Sequence, residues 1–475
     1  MVINPECNDI KSLLKSVFGF DSFRPMQSLI ISAILEGRDV FAVMPTGGGK
    51  SICYQLPALA GEGTAVIISP LISLMKDQVD AAKKKGIDSA YINSSLTAAE
   101  RREIYSTLKR GRIRLIYAAP ERVVLESFLD RLDGLPVSLF AIDEAHCVSQ
   151  WGNDFRPDYL GLSIIPARFP GVPLAAFTAT ATLKVQKDII ERIGFRNPLI
   201  VRAPFDRTNL FYSVFPRKEQ NMQILYFLKE VKNKQGIIYC GTRKKADETA
   251  EFLKREGINV LSYHGGLAAE ERGYCQEAFN NGAVTVIVAT VAFGMGIDKP
   301  DIRFVIHLDM PDSLERYAQE TGRAGRDGEP SLCVLFYSRA DLKRHGYFIG
   351  KIEDDARRRI ASEQLDAMAV FAEGNLCRRR ELLAYFGEEL CPDSCEWCDT
   401  CRPDMVRHRK GSEVLQALFS SVSEGRKAFR DNFCESGSSS LSIVKKEESV
   451  IPSLLSCKRV FDTIVTGVRK SFGCQ

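Results

Sequence analysis

At 475 residues the chain is too long for one small hydrophobic core, and typical domain sizes of roughly 100 to 200 residues predict two or three domains. Its 64 Lys and Arg residues against 60 Asp and Glu give a net charge of +4, which neither requires nor excludes a polyanionic partner. No apolar run reaches the roughly 18 residues needed to span a bilayer, and the start, MVINPECNDIKSLL, lacks the basic and apolar regions of a signal peptide. We therefore expect a cytoplasmic protein without membrane contact.

Short apolar runs alternate with helix-like polar segments along most of the chain. Between Asp39 and about Ile200 these runs are DVFAVM, AVIISP, IRLIYAAP, LFAID and LAAFTAT. The rhythm restarts after Phe205 with GIIYCGT, INVLSYHG, VTVIVAT, FVIHLDM and LCVLFYS. Buried parallel strands with crossover helices have this pattern, so we predict an α/β fold of two tandem lobes joined between Arg202 and Asn209.

A glycine-rich segment, VMPTGGGKS, follows the first strand-like run and precedes a plausible helix. Backbone N–H groups of such a loop converge on phosphates at a helix N-terminus, while a lysine reaches the terminal phosphates and a hydroxyl ligates Mg²⁺. The strict P-loop pattern has glycine where this chain has Met44, so a plain glycine-rich turn is the alternative. The predicted nucleotide-binding residues are Thr46, Gly47, Gly48, Gly49, Lys50 and Ser51, and Ser51 is also a predicted magnesium ligand.

Two acids follow the apolar run SLFAI, where a parallel strand would emerge beside the P-loop. We assign Asp143 to Mg²⁺ and Glu144 to the attacking water, because phosphoryl transfer depends on positioning and charge neutralisation. The missing positive charge is predicted in the second lobe, where QETGRAGRDG supplies Gln319, Arg323 and Arg326. The two arginines share one side if the segment is helical and can stabilise transition-state charge across a cleft, although such a pair is usually solvated.

The loop after the acidic pair, within DEAHCVSQWGNDFRPDY, carries one of the two tryptophans of the chain. Trp151 stands among polar residues that offer it nothing apolar to pack against, whereas an aromatic ring can stack on an unpaired base and an arginine can pair with phosphate. We therefore predict that Trp151, Phe155 and Arg156 bind single-stranded nucleic acid. The alternative is that Trp151 folds back and caps the edge of the sheet.

Five of the 14 cysteines crowd into one window after a basic, helix-like segment, which in a reducing compartment favours a metal site over disulfides. Four thiolates close a tetrahedral structural zinc site, which would support a segment with too few apolar residues for a core of its own. A redox CxxC is the alternative, and it lacks a thioredoxin-like context here. The five residues are Cys377, Cys391, Cys395, Cys398 and Cys401.

Taken together, these motifs resemble the RecQ family of superfamily 2 DNA helicases from about Phe18 to Arg402. In chain order the matching segments are FGFDSFRPMQ, MPTGGGKS, SPLISLMKDQ, DEAHCVSQWGNDFRPDY, FTATAT, YCGTRKKAD, YHGGL, ATVAFGMGIDKPD, QETGRAGRDG and CxxCDxC. The resemblance implies two tandem RecA-like parallel-sheet lobes, a small helical zinc-binding domain and a short C-terminal tail. We set their limits at 1–204, 205–343, 344–402 and 403–475, and the tail would be an incomplete winged helix or disordered.

The resemblance also implies how adenine is held. Phe20 and Arg24 would sandwich the base while Gln27 reads its edge by a bidentate hydrogen bond, which would select ATP. An amphipathic helix start with buried phenylalanines is the plainer interpretation of this segment, and it suits Phe18 and Phe23 better than Phe20.

Further roles follow from the resemblance in both lobes. Arg326 would be the main arginine finger with Arg323 assisting, and Asp298 would couple the second lobe to nucleotide. The loop of Trp151 would sense single-stranded DNA and trigger hydrolysis. The residues that would link the ATP site to the DNA site are His146, Thr178 and Thr180.

For the metal site, the bacterial form of the family pattern, CxxCDxC, selects Cys377, Cys395, Cys398 and Cys401 as zinc ligands, and we favour this set. Some relatives have CxxxCxxC instead, which would recruit Cys391 and release Cys401.

The resemblance implies an ATP-, Mg²⁺- and Zn²⁺-binding 3′ to 5′ DNA helicase of recombination and repair. We expect it to act on single-stranded and forked DNA as a monomer associated with the nucleoid. Most members of the family continue into a winged helix that grips duplex DNA, and the residues after Cys401 show no convincing strand pairs for one. Two alternatives follow: a DNA-stimulated ATPase or translocase with weak unwinding, and a zinc-stabilised DNA-binding scaffold.

Overall fold

The computed structural model describes residues 7–70, 72–93, 96–152, 154–231, 233–294, 299–389 and 394–403. The predictions made for Asp298, for Cys391 and for the tail from 404 onward lie outside the described residues. Within these ranges, no helix combines the length and the apolar character that crossing a membrane requires.

The first lobe is built on a parallel sheet whose strands are the predicted apolar runs. They are β1 Val40–Val43, β2 Thr64–Ile68, β3 Ser89–Ile92, β4 Leu115–Ala118, β5 Val137–Ile142, β6 Leu174–Thr178 and β7 Leu199–Arg202. Their order across the seven-stranded sheet is β3-β4-β2-β5-β6-β1-β7 over the described part of the chain. Alternate residues point to opposite faces, so Phe41 and Phe140 join one hydrophobic cluster while Ala42 and Ala141 join the other.

Helices cover both faces of this sheet, as a parallel sheet requires. They are α1 Cys7–Leu13, α2 Gln27–Leu35, α3 Lys50–Ala60, α4 Ile72–Lys84, α5 Ala98–Lys109, α6 Pro120–Val123, α7 Glu126–Leu132, α8 Ile164–Arg168 and α9 Leu183–Ile193. A π-helical turn covers Leu14–Phe18, and 3-10 helices cover Ala145–Val148 and Pro157–Ser163. The last two lie on either side of the tryptophan loop.

The second lobe repeats the plan with a parallel sheet of its own. Its strands are β8 Leu210–Pro216, β9 Gly236–Tyr239, β10 Val260–Tyr263, β11 Val286–Ala289, β12 Phe304–His307 and β13 Ser331–Tyr337. Among the described residues the six strands are ordered β10-β11-β9-β12-β13-β8. The helices of this lobe are α10 Gln220–Glu230, α11 Arg243–Arg255, α12 Ala269–Asn280 and α13 Leu314–Thr321.

The third region consists of three helices and the cysteine loop. The helices are α14 Arg339–Ile349, α15 Asp355–Glu373 and α16 Arg378–Tyr385. Met368 and Phe371 of α15 belong to the same hydrophobic cluster as Ile237 and Leu335 of the second sheet. This explains how a segment with few apolar residues is stable, because it shares the core of the second lobe.

One predicted domain limit divides a helix. The limit set between 343 and 344 falls inside α14, because the helix is already capped at Ser338, whose hydroxyl accepts a hydrogen bond from the N–H of Ala340. A boundary before Ser338, the N-cap of α14, keeps this helix whole within the third region, and we propose it instead. The proposed limit at 204 falls between β7 and β8.

The order of strands in the first sheet decides where the functional residues meet. Strand β6 lies between β1, which precedes the P-loop, and β5, which precedes the acidic pair. Beyond the end of β1, the N–H of Met44 donates to the carbonyl of Thr178 at 2.9 Å. The P-loop, the acidic pair and the end of β6 therefore share one carboxyl edge of the sheet, where open α/β sheets bind ligands.

Candidate functional site

The P-loop connects β1 to the start of α3. Gly47 and Gly49 have φ angles of 82° and 80°, in the left-handed region where a side chain would be strained, so these two positions suit glycine. Lys50 is the first residue of α3, whose N–H groups and dipole make an anion site. Met44, the departure from the strict pattern, is buried in the lobe core, and a Cβ atom added to Gly48 would lie 3.5 Å from Cβ of Met44.

The acidic pair lies at the end of β5 in a buried environment. Burial, together with the charge of Glu144, raises the pKa of Asp143 to about 6. Burial also acts to raise the pKa of Glu144, but the opposing effect of nearby groups, led by the positive charge of Lys50, outweighs it and the net pKa is lowered. Glu144 is therefore ionised at neutral pH, as a group that accepts a proton from water must be.

Glu144 is held in an unusual position. Its φ angle is 50°, which is uncommon for a residue other than glycine and marks a strained position of the kind found at active sites. Within the described residues, its Oε2 atom is buried without a hydrogen bond, 3.4 Å from Nδ1 of His146. An orphaned carboxylate oxygen at this edge suits a bound water, and the neighbouring Asp143 carboxylate and Ser51 hydroxyl are oxygen ligands of the kind Mg²⁺ prefers.

The adenine segment lies beside the P-loop. Phe20 is 47% exposed while Phe18 is buried, which agrees with Phe18 as the core residue of the two. The guanidinium of Arg24 donates to the carbonyl of Gly47. Gln27 is buried, accepts from the N–H of Arg24 at 2.8 Å and donates to the carbonyl of Gly49 at 3.1 Å.

The second lobe brings its arginines to the P-loop. A Cβ atom added to Gly47 would lie 3.0 Å from Cγ of Arg326, so this side chain crosses directly over the loop. Arg323 is buried and donates to the carbonyl of Gly294. The two are not helical neighbours as the spacing suggested, because α13 ends at Thr321 and both follow in turns, with Gln319 in its last turn.

A polar path leads from the acidic pair to the end of β6. Burial lowers the pKa of His146, so its imidazole is neutral and shares a hydrogen bond of 3.1 Å between Nδ1 and the hydroxyl of Thr178. The Thr178 hydroxyl also lies 3.4 Å from the carbonyl of Thr180. The three residues predicted to couple the sites therefore form a chain of neighbours that begins at Glu144.

The structure corrects the reasoning about Trp151. Its ring is partly buried against a hydrophobic core of the first lobe, so it does find apolar neighbours, and Lys184 lies over its face. Lys184 and much of that core come from distant parts of the chain, which local sequence cannot reveal. Its carbonyl accepts a hydrogen bond of 3.3 Å from Gln364 of α15. The alternative of a fold-back onto the lobe thus has some support, although Trp151 is only partly buried.

The other two residues of the loop are also engaged within the protein. Arg357 of α15 lies over the ring of Phe155 at 5.6 Å. Arg156 donates to Asp154 at 3.0 Å and to the carbonyl of Pro70 at 2.8 Å. A phosphate would have to compete with these partners or share the remaining donors of the guanidinium.

The cysteine cluster has the geometry of a zinc site. The thiol sulfurs of four cysteines lie within 4.8 Å of one another, and those of Cys395 and Cys401 are 3.9 Å apart. Zn–S bonds of 2.3 Å in a tetrahedron place sulfurs about 3.8 Å apart, so the cluster fits a zinc ion. The four residues are Cys377, Cys395, Cys398 and Cys401, the set favoured from the sequence.

The cysteine loop is attached to the second sheet. The N–H of Asp399 donates to the carbonyl of Tyr212 at 3.1 Å, and its carboxylate accepts from the N–H of Val214 at 2.8 Å. Arg378, next to the ligand Cys377, is buried and paired with Asp399 at 2.9 Å. The loop therefore covers β8, an edge strand whose backbone groups would otherwise be open.

Sequence reasoning missed Arg207, whose guanidinium lies between the lobes. It donates to the carbonyl of Thr46 in the P-loop at 3.2 Å and to those of Ala324 and Gly325 at 2.8 and 2.7 Å. Its partners are backbone oxygens that leave no trace in a side-chain pattern. The segment FDRTNL, which links the two lobes, could have indicated Arg207. A charged residue in such a link lies close to both lobes.

Comparison with known families gives three matches in chain order. The DEAD/DEAH box helicase family matches residues 24–189, the Helicase conserved C-terminal domain matches 218–328, and RecQ zinc-binding matches 339–402. These segments contain the P-loop and acidic pair, the second sheet with its arginines, and the cysteine cluster, respectively.

Individual relatives agree with these matches. The chain is 44% identical to the ATP-dependent DNA helicase RecQ of Bacillus subtilis over 410 residues, which cover 86% of this chain and 69% of the relative. It is also 44% identical to the protein of the same name from Pasteurella multocida over 389 residues, covering 82% of this chain and 61% of the relative. The chain thus spans about three fifths of the length of the Pasteurella relative.

Solved structures support the fold. Dbp5 of S. cerevisiae, bound to RNA and ADP BeF3, is similar with a TM-score of 0.57 at 20% identity, over 74% of this chain and 97% of that one. The DUF1998 helicase MrfA bound to DNA is similar with a TM-score of 0.57 at 18% identity, over 85% of this chain and 61% of that one. At these identities the likeness concerns the two-lobed fold alone.

Proposed function

Because the chain belongs to the RecQ family of DNA helicases, we propose that it hydrolyses ATP to move 3′ to 5′ along single-stranded DNA and unwind duplexes in recombination and repair. The observation that carries the proposal is the arrangement around Gly47. Arg326 of the second lobe crosses the P-loop of the first, at the sheet edge that also bears Asp143 and Glu144. A nucleotide bound there would be enclosed by both lobes, so its hydrolysis would change the contact between them.

In this proposal ATP is bound by the P-loop and the adenine segment. The backbone of residues 46–49, Lys50 and Ser51 would hold the phosphates, and Phe20 and Arg24 would enclose the base. Gln27, already hydrogen-bonded beside the P-loop, would present its amide to the adenine edge. Mg²⁺ bound by Ser51 and Asp143 would neutralise phosphate charge.

Glu144 is proposed to orient the attacking water and accept its proton. Support comes from its lowered pKa and its buried, unsatisfied carboxylate oxygen. Arg326 and Arg323 would stabilise the charge that develops on the transferred phosphoryl group, with Gln319 beside them. Asp298 retains its proposed coupling role, outside the described residues.

DNA is proposed to bind at the loop of Trp151, Phe155 and Arg156. Stacking of bases on aromatic rings contributes about 1–3 kcal/mol per base without sequence preference. His146 lies only a few residues before Trp151 in the chain and is hydrogen-bonded to Thr178, which lies beside Thr180. Movement of the loop would therefore be transmitted to Glu144 through His146.

The partners of this activity are proposed to be single-stranded and forked DNA. We propose that the protein acts as a monomer in the cytoplasm, in association with the nucleoid. Zinc held by the four clustered cysteines would stabilise the third region. With four thiolate ligands it would have no open position for substrate and no direct part in the chemical step.

The test is ATP hydrolysis by the purified protein with Mg²⁺, in the absence and presence of single-stranded DNA. We expect strong stimulation by DNA and loss of hydrolysis by at least about 100-fold in Lys50→Ala, because the lysine neutralises the terminal phosphates. Unchanged hydrolysis in that variant would contradict the proposal. The matched control is Lys254→Ala on the exposed surface of α11, which should hydrolyse ATP normally.

A further inference from the structure

The turn that carries both finger arginines is held by another arginine. Besides Thr46, Ala324 and Gly325, the guanidinium of Arg207 donates to the carbonyl of Gly322 at 3.3 Å. Its acceptors 322, 324 and 325 flank Arg323 and directly precede Arg326. A planar guanidinium with its donors in a fixed fork fixes the spacing of the backbone it bridges, and so fixes where the finger side chains begin.

The backbone of Arg207 is in turn held by Arg379. The Nη2 atom of Arg379 donates to the carbonyls of Arg207 at 3.2 Å, Thr208 at 3.0 Å and Leu210 at 3.2 Å. The Nε atom of Arg379 lies 3.2 Å from Oδ1 of Asp206. Only 4% of the Arg379 side chain is exposed. A buried charge this well surrounded is costly to misplace, so the link 206–210 has little freedom while Arg379 is present.

Arg379 is itself fixed by the zinc-type cluster. It lies in the first turn of α16, whose N-cap is Cys377, one of the four clustered cysteines. The N–H of Arg380 approaches the Cys377 sulfur at 3.5 Å, and Arg378 is bound to Asp399 in the same cysteine loop. The first turn of α16 is therefore attached to the cluster on both sides.

We propose that Arg379 and Arg207 are positioning residues that connect the cysteine cluster to the finger arginines. Arg379 fixes the link 206–210, Arg207 fixes the turn 322–326 against the P-loop, and the turn aims Arg326 at the nucleotide. The inference rests on the proposed ATPase, since it assigns the third region a part in that reaction. The position of Arg326 matters because a displacement of about 1 Å at a catalytic group can lower a rate by about 100-fold.

The test uses the full chain and variants that keep the charge. Lysine lacks the planar fork, so Arg207→Lys and Arg379→Lys should each lower kcat for DNA-stimulated hydrolysis by about tenfold or more. Binding of a fluorescent ATP analogue, zinc content and the melting temperature should stay close to those of the unmodified protein. Arg380→Ala, an exposed neighbour in the same turn of α16, is the matched control and should leave kcat unchanged.

A double-mutant cycle separates positioning from a general weakening. If Arg207 acts through the finger, its substitution should have little further effect on kcat once Arg326→Ala is present, so the two effects should not multiply. The same should hold for Arg379→Lys combined with Arg326→Ala. Independent, multiplying losses would overturn the proposal.

Three other results would also overturn it: an unchanged kcat in both lysine variants, a raised KM with unchanged kcat, or a loss of kcat that only follows loss of zinc.

The Lys50→Ala variant distinguishes failure of this proposal from failure of the proposed ATPase function. If Lys50→Ala abolishes hydrolysis while the lysine variants are normal, the connection fails and the ATPase stands. If Lys50→Ala hydrolyses ATP normally, the proposed function itself fails.

Discussion

Glu144 shows how one residue combines strain, burial and charge. Its left-handed backbone turns the side chain away from the strand direction, and its pKa is lowered although it is buried. Asp143, one residue earlier, has its pKa raised instead. Two neighbouring carboxylates with opposite shifts have different environments, which is the expected condition for different roles.

From this we predict the effect of Glu144→Gln. The amide keeps the shape of the side chain but cannot accept a proton, so kcat for ATP hydrolysis should fall by about 100-fold or more while ATP still binds. Single-turnover hydrolysis and nucleotide binding measure the two effects. Hydrolysis near the normal rate would exclude Glu144 as the base.

The residues that sequence could assign are those defined by their place after a strand. Lys50 follows β1, and Asp143 and Glu144 follow β5. Both strands are apolar runs that can be recognised in the sequence, and parallel strands bring the residues after them to the same carboxyl edge of the sheet. Arg207 was not predictable, because its acceptors are carbonyls of distant turns. The packing of Trp151 is not predictable either, because much of the core on which it packs is remote in sequence.

At the scale of elements, the tryptophan loop contacts both the first lobe and α15 of the third region. It leaves the acidic pair through the 3-10 helix Ala145–Val148, packs on the first lobe and is bound by Gln364 of α15. Gln364 also lies 3.3 Å from Glu315 of α13, the helix that leads to the finger turn. The loop is therefore linked to α15 directly and to α13 through Gln364.

We predict that Trp151→Ala binds ATP but loses most of the stimulation of hydrolysis by single-stranded DNA. The reason is that the ring would stack on a base and lies only a few residues from Glu144. ATPase rates measured over a titration of single-stranded DNA give the stimulation. Tyr274→Ala, an aromatic residue exposed on α12, is the control and should be stimulated normally. Normal stimulation of Trp151→Ala would make the tryptophan purely structural.

Strand β9 offers a prediction about the fold itself. A Cβ atom on Gly236 would lie 2.0 Å from the ring of Phe304 on the neighbouring strand, so Gly236→Ala forces a buried ring to move. Overpacking of this kind costs about 1–3 kcal/mol, and we expect a lower thermal midpoint. Gly273→Ala, on α12 with open space around it, should be neutral or slightly stabilising. An unchanged midpoint for Gly236→Ala would show that the sheet yields easily there.

At the scale of the whole molecule, the third region and the second lobe share a hydrophobic core, and the cysteine loop covers strand β8. The strand pattern predicted both sheets, because continuous apolar runs are the signature of buried parallel strands. The shared core could not be predicted, since amphipathic α15 carries no information about which surface it covers.

The shared core predicts the effect of losing zinc. Cys398→Ser should lower the zinc content and melt at a lower temperature, and the loss of stability should extend to the second lobe and to ATP hydrolysis. Metal analysis and calorimetry measure these changes. Cys275→Ser, outside the cluster and near the carbonyl of Ser262, should keep its zinc. A variant without zinc that melts and hydrolyses ATP normally would contradict this account of the third region.

The central claim is that hydrolysis at the P-loop drives strand separation. The most direct test measures ATP hydrolysis and release of the displaced strand in the same reaction, on a forked duplex with a 3′ single-stranded arm. We predict that the unmodified protein releases the strand only with ATP and Mg²⁺, and that Lys50→Ala releases none. Hydrolysis stimulated by the fork without any displaced strand would contradict the claim and leave a DNA-stimulated ATPase.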